Sequence, residues 1–299
     1  MTIEEWKRKL LDNLTIDTEK RLKVATKDAL KQVKGSLSEY YAKYGKEGVI
    51  PQEAFLSYKR NLKMEEQLQE IATKLNNIEF KTIQDANVEL YREIYNLTGY
   101  DLFARTGINS ITFTTIPKDT VLLAIQNPVK ELTLKSTMEV HRREIVRQLR
   151  IQLTSQILNG RGYREVAEQA AYIFNGDYNK ALRVLRTENR KVKTIAELDS
   201  LEAELKKRPN MKATKTWITT IDGRERESHR AMNGTTIERN EEFVLPSARG
   251  QGPAALTGDP SEIVNCRCAL SLDVEFKDEF LKSKEWQKER YQKWKGGTS

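Results

Sequence analysis

A chain of 299 residues is long enough for about two folded units, and this one carries 51 Lys or Arg against 43 Asp or Glu, a formal net charge of +8. With 38% hydrophobic and 31% charged residues it is more polar than an average domain, yet its apolar residues recur too regularly for wholesale disorder. No run of about 18 uncharged apolar residues occurs and Met1-Thr-Ile-Glu-Glu-Trp6 lacks the regions of a secretion signal. The expectation is a protein made in the cytoplasm that does not enter a membrane.

Taken in chain order, Ile3, Trp6, Leu10, Leu14, Leu22, Leu30, Val33, Leu37 and Tyr41 fall mostly three or four apart, which predicts one or two amphipathic helices over 3–45. Gly45-Lys-Glu-Gly48 and Ile50-Pro51 mark a turn. Pro51 suits the start of a second helix through Leu56, Leu62, Leu68, Ile71 and Leu75, so a helical hairpin is expected. Ile83 to Leu97 predicts more helix, with Gly99 as its stop. Tyr100 to Pro128 reads as an irregular crossing, with strand-like alternation in Ile111-Thr-Phe-Thr-Thr-Ile116.

From Val129 to Leu158 the apolar spacing predicts a long helix ending at Asn159-Gly160. Two shorter helices, Tyr163 to Phe174 and Tyr178 to Arg190, would flank a turn at Asn175-Gly-Asp177, with another from Thr194 to Leu205. The stretch Val129 to Lys215 holds nineteen Lys or Arg and eleven Asp or Glu, the entire charge excess. Such an excess suits nucleic acid, an acidic protein surface, or simply solvated helix faces. Arg143, Arg147 and Arg150 share one predicted helix face and Arg183, Arg186 and Arg190 another, two candidate stripes for DNA or partner contact. Glu188 would pair within its helix with Arg183 or a neighbouring turn, and His141 reads as structural.

After an exposed linker at Lys206-Lys-Arg-Pro-Asn210 the character changes. Trp217-Ile-Thr-Thr-Ile221, Thr235-Thr-Ile237 and Phe243-Val-Leu245 are strand-like, and Asn233-Gly234 is a turn signal, so a small mixed domain with a hairpin is expected. The Gly and Pro density between Pro246 and Pro260 argues against regular structure there. The tail from Asp273, with Phe276, Phe280, Trp286, Tyr291 and Trp294, predicts a docking amphipathic helix.

Candidate chemistry concentrates in Asp222-Gly-Arg224-Glu-Arg226-Glu-Ser-His229, Gly234 and Asn265-Cys266-Arg267-Cys268. In extended chain Cys266 and Cys268 share one face and Arg267 takes the other. The two cysteines, separated by one residue, are poorly placed to bond to each other. With His229, and Asp222 as a fourth, they are the residue types of a structural zinc site. They equally suit a packed core in which no cofactor is required. A catalytic reading makes Cys266 a nucleophile with His229 as base. A nuclease reading uses His229, Arg224, Arg226 and Glu227.

In order along the chain, a Gly-containing turn with short helices, Arg186-Thr187-Glu188, a strand bearing Trp217, the Asp222/Arg226/His229 stretch, Gly234 and a closing Cys-Arg-Cys at Cys268 resemble the Mu F-like family of phage head morphogenesis proteins. The resemblance covers roughly Leu149 to Leu272. It implies a structural minor head protein in the virion head, placed at the portal vertex after assembly in the host cytoplasm and acting in DNA packaging and ejection. The implied partners are the portal protein, capsid and scaffold proteins, and packaged DNA. Some relatives carry a further C-terminal toxin or nuclease domain; with only about thirty residues after Cys268, none is expected here. The rival from another class is a nuclease or transferase centred on His229.

The expected architecture is mainly α with a small α+β C-terminal domain and an elongated helical N-terminal half. Its regions would be a helical 1–128, a basic helical 129–210, a Mu F-like core at 211–272 and an amphipathic tail at 273–299.

Overall fold

The computed structural model describes residues 2–56, 58–106, 115–125, 133–208, 211–275 and 292. Helices dominate: α1 (Ile3–Tyr44), α2 (Gln52–Phe55), α3 (Tyr58–Thr106), α4 (Lys118–Ile125), α5 (Leu134–Gln148), a π turn (Leu149–Leu153), α6 (Thr154–Leu158) and α7 (Tyr163–Lys207). A smaller C-terminal part follows with β1 (Lys212–Ile218), α8 (Glu227–Met232), β2 (Thr236–Glu238), β3 (Phe243–Val244), β4 (Ala248–Gly252), β5 (Ala255–Gly258), α9 (Pro260–Ile263) and β6 (Ala269–Glu275). The chain is thus mainly α with a small α+β region. The tail aromatics and the strand-like segment at 111–114 lie outside the described residues.

Two compact units emerge. One comprises Ile16–Gln84 and Leu132–Leu185, the other Met1–Thr15, Asp85–Glu131 and Arg186–Ser299. They differ from the four consecutive regions of the sequence reading because α1, α3 and α7 each contribute one end to either unit.

The first unit is helical, with a core built by Val33, Leu37, Leu68, Leu75, Leu149, Leu153, Val166 and Phe174. Gly45 ends α1: a Cβ there would stand 2.4 Å from the Tyr41 carbonyl oxygen. Glu47 and Gly48 then both take positive φ, 51° and 82°, and Lys46 and Val49 exchange backbone hydrogen bonds of 2.8 and 3.1 Å across this tight turn. Pro51 does stand at a helix start, but that helix is only α2, and the long second arm begins at Tyr58. The expected stop at Asn175-Gly-Asp177 does not occur, nor does the break before Thr194, because α7 runs through both. A mid-helix glycine costs about 0.5–1 kcal/mol, less than burying the adjacent Phe174, 1% exposed, returns at about 1.5–3 kcal/mol.

This unit also buries two carboxyls. Glu79 is 2% exposed and its Oε1 has no hydrogen-bond partner. Burial and then the charge of Asp177 hold its pKa well above the usual carboxylate range. Burial likewise pushes Asp177 up, to about 7, with Lys180 opposing. A raised carboxyl pKa means the folded state binds the extra proton, so stability falls as pH climbs from the unfolded value through the folded one. Glu79→Gln is therefore expected to raise the unit's thermal midpoint at pH about 8 and leave it nearly unchanged at pH about 4. Equal midpoint shifts at both pH values in scanning calorimetry would refute this account.

In the second unit, Leu11, Leu90, Ile94, Val121, Val192 and Ala196 form the helical core. Two antiparallel three-stranded sheets, ordered β2-β1-β6 and β3-β4-β5, accompany it. Alternation along β1 buries Ala213, Lys215 and Trp217, with Trp217 opposite Leu270 and Lys215 opposite Leu272 on β6. The region from Pro246 to Pro260, expected to lack regular structure, holds the β4-β5 hairpin. Its glycines mark close strand approach: a Cβ at Gly250 would lie 2.3 Å from the Ala255 carbonyl oxygen, and the register shifts between Gly250 and Gly252. The expected Asn233-Gly234 hairpin is instead an exit from α8, which lies in sequence between β1 and its antiparallel partner β2.

Candidate functional site

Trp217 anchors the site. It is fully buried on β1, and its Nε1 donates to Thr219 Oγ1 at 3.1 Å, whose hydroxyl donates in turn to the His229 carbonyl oxygen at 2.6 Å. Gly234, at φ +80°, lets the backbone return so that its N–H reaches the Trp217 carbonyl oxygen at 2.8 Å, while Trp217 N–H meets Thr235 O at 2.9 Å. Together these fix α8 against β1. The His229 ring then stands edge-on to Trp217 with centroids 5.3 Å apart.

Cys266 and Cys268 lie in the extended segment just before β6. Asn265, in the left-handed region at φ 56°, turns the chain into it, and its N–H donates to Thr187 Oγ1 at 3.1 Å. The alternation expected of extended chain holds: both sulfurs turn inward, 3.7 and 3.3 Å from His229 Nδ1, while Arg267 turns outward to the Asp222 carboxylate. All three ligand-type side chains are buried and their ligand atoms lie within 4.8 Å of one another. On the far side of the ring, Nε2 stands 3.1 Å from Glu262 Oε2, though out of line for a regular hydrogen bond. Ser228 Oγ donates to that same oxygen at 2.8 Å. Hydrogen bonds, chiefly from Cys266 and then from His229, pull the Cys268 thiol down against its burial, and the same pairing with Cys268 pushes Cys266 up.

Asp222 does not join this group. Arg267 and Arg224 hold its carboxylate at the surface and keep it well below the usual carboxylate range. The nuclease constellation is not assembled either, since His229 is 2% exposed and faces the interior while Glu227 is exposed. Arg226 serves the backbone, donating to Val264 O at 2.6 Å. Glu262, Thr219, Thr187 and Ser228 are site residues that sequence reasoning missed. Only Glu262 carried a signal, standing in the first turn of a helix that Asp259 caps and Pro260 opens.

Next to the cysteines lies a cleft of about 600 Å³ lined by Arg186, Arg190, Arg224, Arg226 and Arg267 together with Asp12, Thr15, Asn189, Asn265 and Cys266. Of the five guanidinium groups, those of Arg224 and Arg267 pair with Asp222, and Asp12 also lines the cleft. Burial lowers the pKa of Arg190, with Asp12 opposing. The other stripe residues sit elsewhere: Arg143, Arg147, Arg150 and Arg183 belong to the first unit. Arg147 pairs with Glu144 at 2.9 Å and Arg150 with Glu65 at 3.1 Å. Glu188 forms an ion pair within its helix with Lys191, one turn on, at 2.7 Å, and both side chains are buried. The His141 Nδ1 is buried without a hydrogen-bond partner, and burial lowers the pKa of its ring.

Residues 147–271 match the model of the family described as phage Mu protein F like protein. The chain is 29% identical over 267 residues to the minor head protein GP7 of Bacillus phage SPP1, covering 88% of this chain and 84% of that one. It is also 26% identical over 223 residues to the NAD(+)–arginine ADP-ribosyltransferase EFV of Enterococcus faecalis strain V583, covering 70% of this chain but 45% of that protein. No solved structure matches it. The Trp217, His229 and Cys-Arg-Cys assembly lies within the matched segment, so that the part of the chain similar to the phage Mu protein F like family is the part that holds the site.

Proposed function

We propose that this protein is a structural minor head protein of a tailed phage, placed at the portal vertex and acting in head assembly and in the passage of DNA. The similarity to the SPP1 minor head protein, which spans most of both chains, carries the reading. The portal, capsid and scaffold proteins are its partners in this reading, and packaged DNA meets the arginine-lined cleft. Bidentate guanidinium groups suit phosphate oxygens, and five arginines lining one concave surface suit a phosphodiester backbone. Catalysis has no part in it. His229 is enclosed by Trp217, the two sulfurs and Glu262, and the ADP-ribosyltransferase relative is more than twice as long as the stretch it shares with this chain.

Size-exclusion chromatography with the cognate portal protein is expected to yield a stable complex. Duplex DNA affinity should fall steeply with salt, since counterions are released on binding. The double variant Arg190→Gln/Arg224→Gln should lower the log–log salt slope by about one to two units without disturbing the portal complex. Absence of a portal complex at any salt would defeat the head reading, and an unchanged slope would defeat the role of the cleft.

A further inference from the structure

We infer that His229, Cys266 and Cys268 bind a zinc ion, with His229 Nδ1 and the two sulfurs as ligands. Bond lengths to zinc of about 2.3 Å for sulfur and 2.0–2.1 Å for nitrogen at tetrahedral angles place a thiolate and an imidazole nitrogen about 3.6 Å apart. The observed separations of 3.3 and 3.7 Å bracket that value. A purely hydrogen-bonded core explains them less well: Nδ1 has one proton or one lone pair, so it satisfies one sulfur and leaves the other beside it. One metal ion serves both sulfurs at once.

The surroundings point the same way. A histidine ligand turns its second nitrogen to a carboxylate, which fixes the tautomer and ring orientation. Here that carboxylate is Glu262, 3.1 Å from Nε2, itself 7% exposed and held by Ser228. A second polar contact closes the site, with Thr219 Oγ1 3.8 Å from the Cys268 sulfur and anchored by Trp217. Three protein ligands leave one coordination position for an exogenous ligand such as water. Both cysteines bind as thiolates, and whatever thiol proton the pair still holds is released to solvent. The ion would staple α8 to the start of β6, two segments separated in sequence by the whole β2 to α9 stretch. This inference stands apart from the head assignment.

The test uses the full chain, refolded or purified with zinc, and quantifies metal by plasma mass spectrometry. One zinc per chain is expected. Cobalt exchanged into the site should show thiolate-to-metal charge transfer and the intense visible bands of tetrahedral Co(II), both lost in Cys266→Ser/Cys268→Ser. Because that variant risks misfolding, Glu262→Gln provides an independent measure: it touches no ligand sulfur and should weaken zinc affinity about 10–100-fold while keeping the cobalt spectrum at saturation. Metal-free protein with an unshifted melting curve on zinc addition would overturn the inference. So would cobalt binding without the thiolate band, or an unchanged affinity in Glu262→Gln.

Discussion

Trp217→Ala is expected to destabilise the sheet region by about 3–5 kcal/mol, the range for emptying a packed aromatic site. The side chain is 0% exposed and meets Phe243 edge-on at 5.4 Å as well as His229 at 5.3 Å. Collapse cannot refill the space, because the β1–β6 ladder around it is paired over seven consecutive positions. Loss of the Nε1 donor also strips one hydrogen bond from Thr219, which itself positions His229. Amide exchange of β1 and β6 should accelerate by roughly two to four orders of magnitude if opening of the region governs it. Trp217→Phe, which keeps the ring but not the donor, should cost about 1–3 kcal/mol less than alanine does. Protection in Trp217→Ala within a few-fold of the parent would mean that this tryptophan does not hold the sheet.

A second large effect is expected at Glu197. This carboxylate, 1% exposed, accepts from Lys193 at 2.6 Å and from Lys7 at 3.3 Å, both of them buried. Lys7 also reaches Glu4 at 2.8 Å, and Glu4 is 41% exposed on its side chain. Glu197→Gln leaves two buried ammonium groups short of a counter-charge, which costs about 3–5 kcal/mol. The lower end is expected because Glu4 remains. Burial presses the Lys7 pKa down, but Glu197 and Glu4 together outweigh it and the net shift is upward. A lysine raised in the folded state contributes stability that is present below its unfolded pKa and lost as pH rises through the folded one. The parent's advantage should therefore be full at neutral pH and narrow only above pH about 10.5. Denaturant titrations at both pH values read it directly. Lys7→Met/Lys193→Met/Glu197→Met, which removes charge from the whole cluster, should recover most of the loss. A triple variant as unstable as the single one would show that packing, not charge, sets the effect.

The helices were legible in the sequence because an apolar residue every third or fourth position has one physical meaning. Where they end was not, and glycine shows why. Gly35, Gly99 and Gly176 lie within continuous helices, whereas Gly45 and Gly160 accompany real ends. Gly35 and Gly176 have open space around them and Gly99 only a side-chain contact at 3.4 Å, while Gly160 takes φ +70°. Local sequence carries the cost of a glycine but not the packing that outweighs it. The same limit hid β4 and β5, whose glycines announce two backbones in close contact and read in isolation as breakers. At the site, His229, Cys266 and Cys268 were visible as residue types, and the alternation around Arg267 predicted their common face. Thr219 carried no signal and Glu262 only that of a helix's first turn, because what ties them to the site is proximity in space to a ring more than thirty residues from Glu262 and ten from Thr219. The middle region's charge excess was also overread as surface, for Lys191, Lys193 and Lys215 are buried.

The discontinuous units impose an order on synthesis. Once residue 185 has left the ribosome, Ile16–Gln84 and Leu132–Leu185 are all present and that unit's core can close. Met1–Thr15 and Asp85–Glu131 must wait for a further ninety residues, 186–275, before the described part of their partner stretch exists. At about 5–20 residues per second this is roughly 5–18 s. The α7 residues Val192 and Ala196, which complete the core of Leu10, Leu11 and Leu14 on α1 and Leu90 and Ile94 on α3, emerge early in that interval, and the strands β1 to β6 only later. The first segment of the chain to emerge thus finds its core partners only after nearly two hundred residues are made, which leaves the apolar face of the nascent N-terminus in need of protection until α7 is complete.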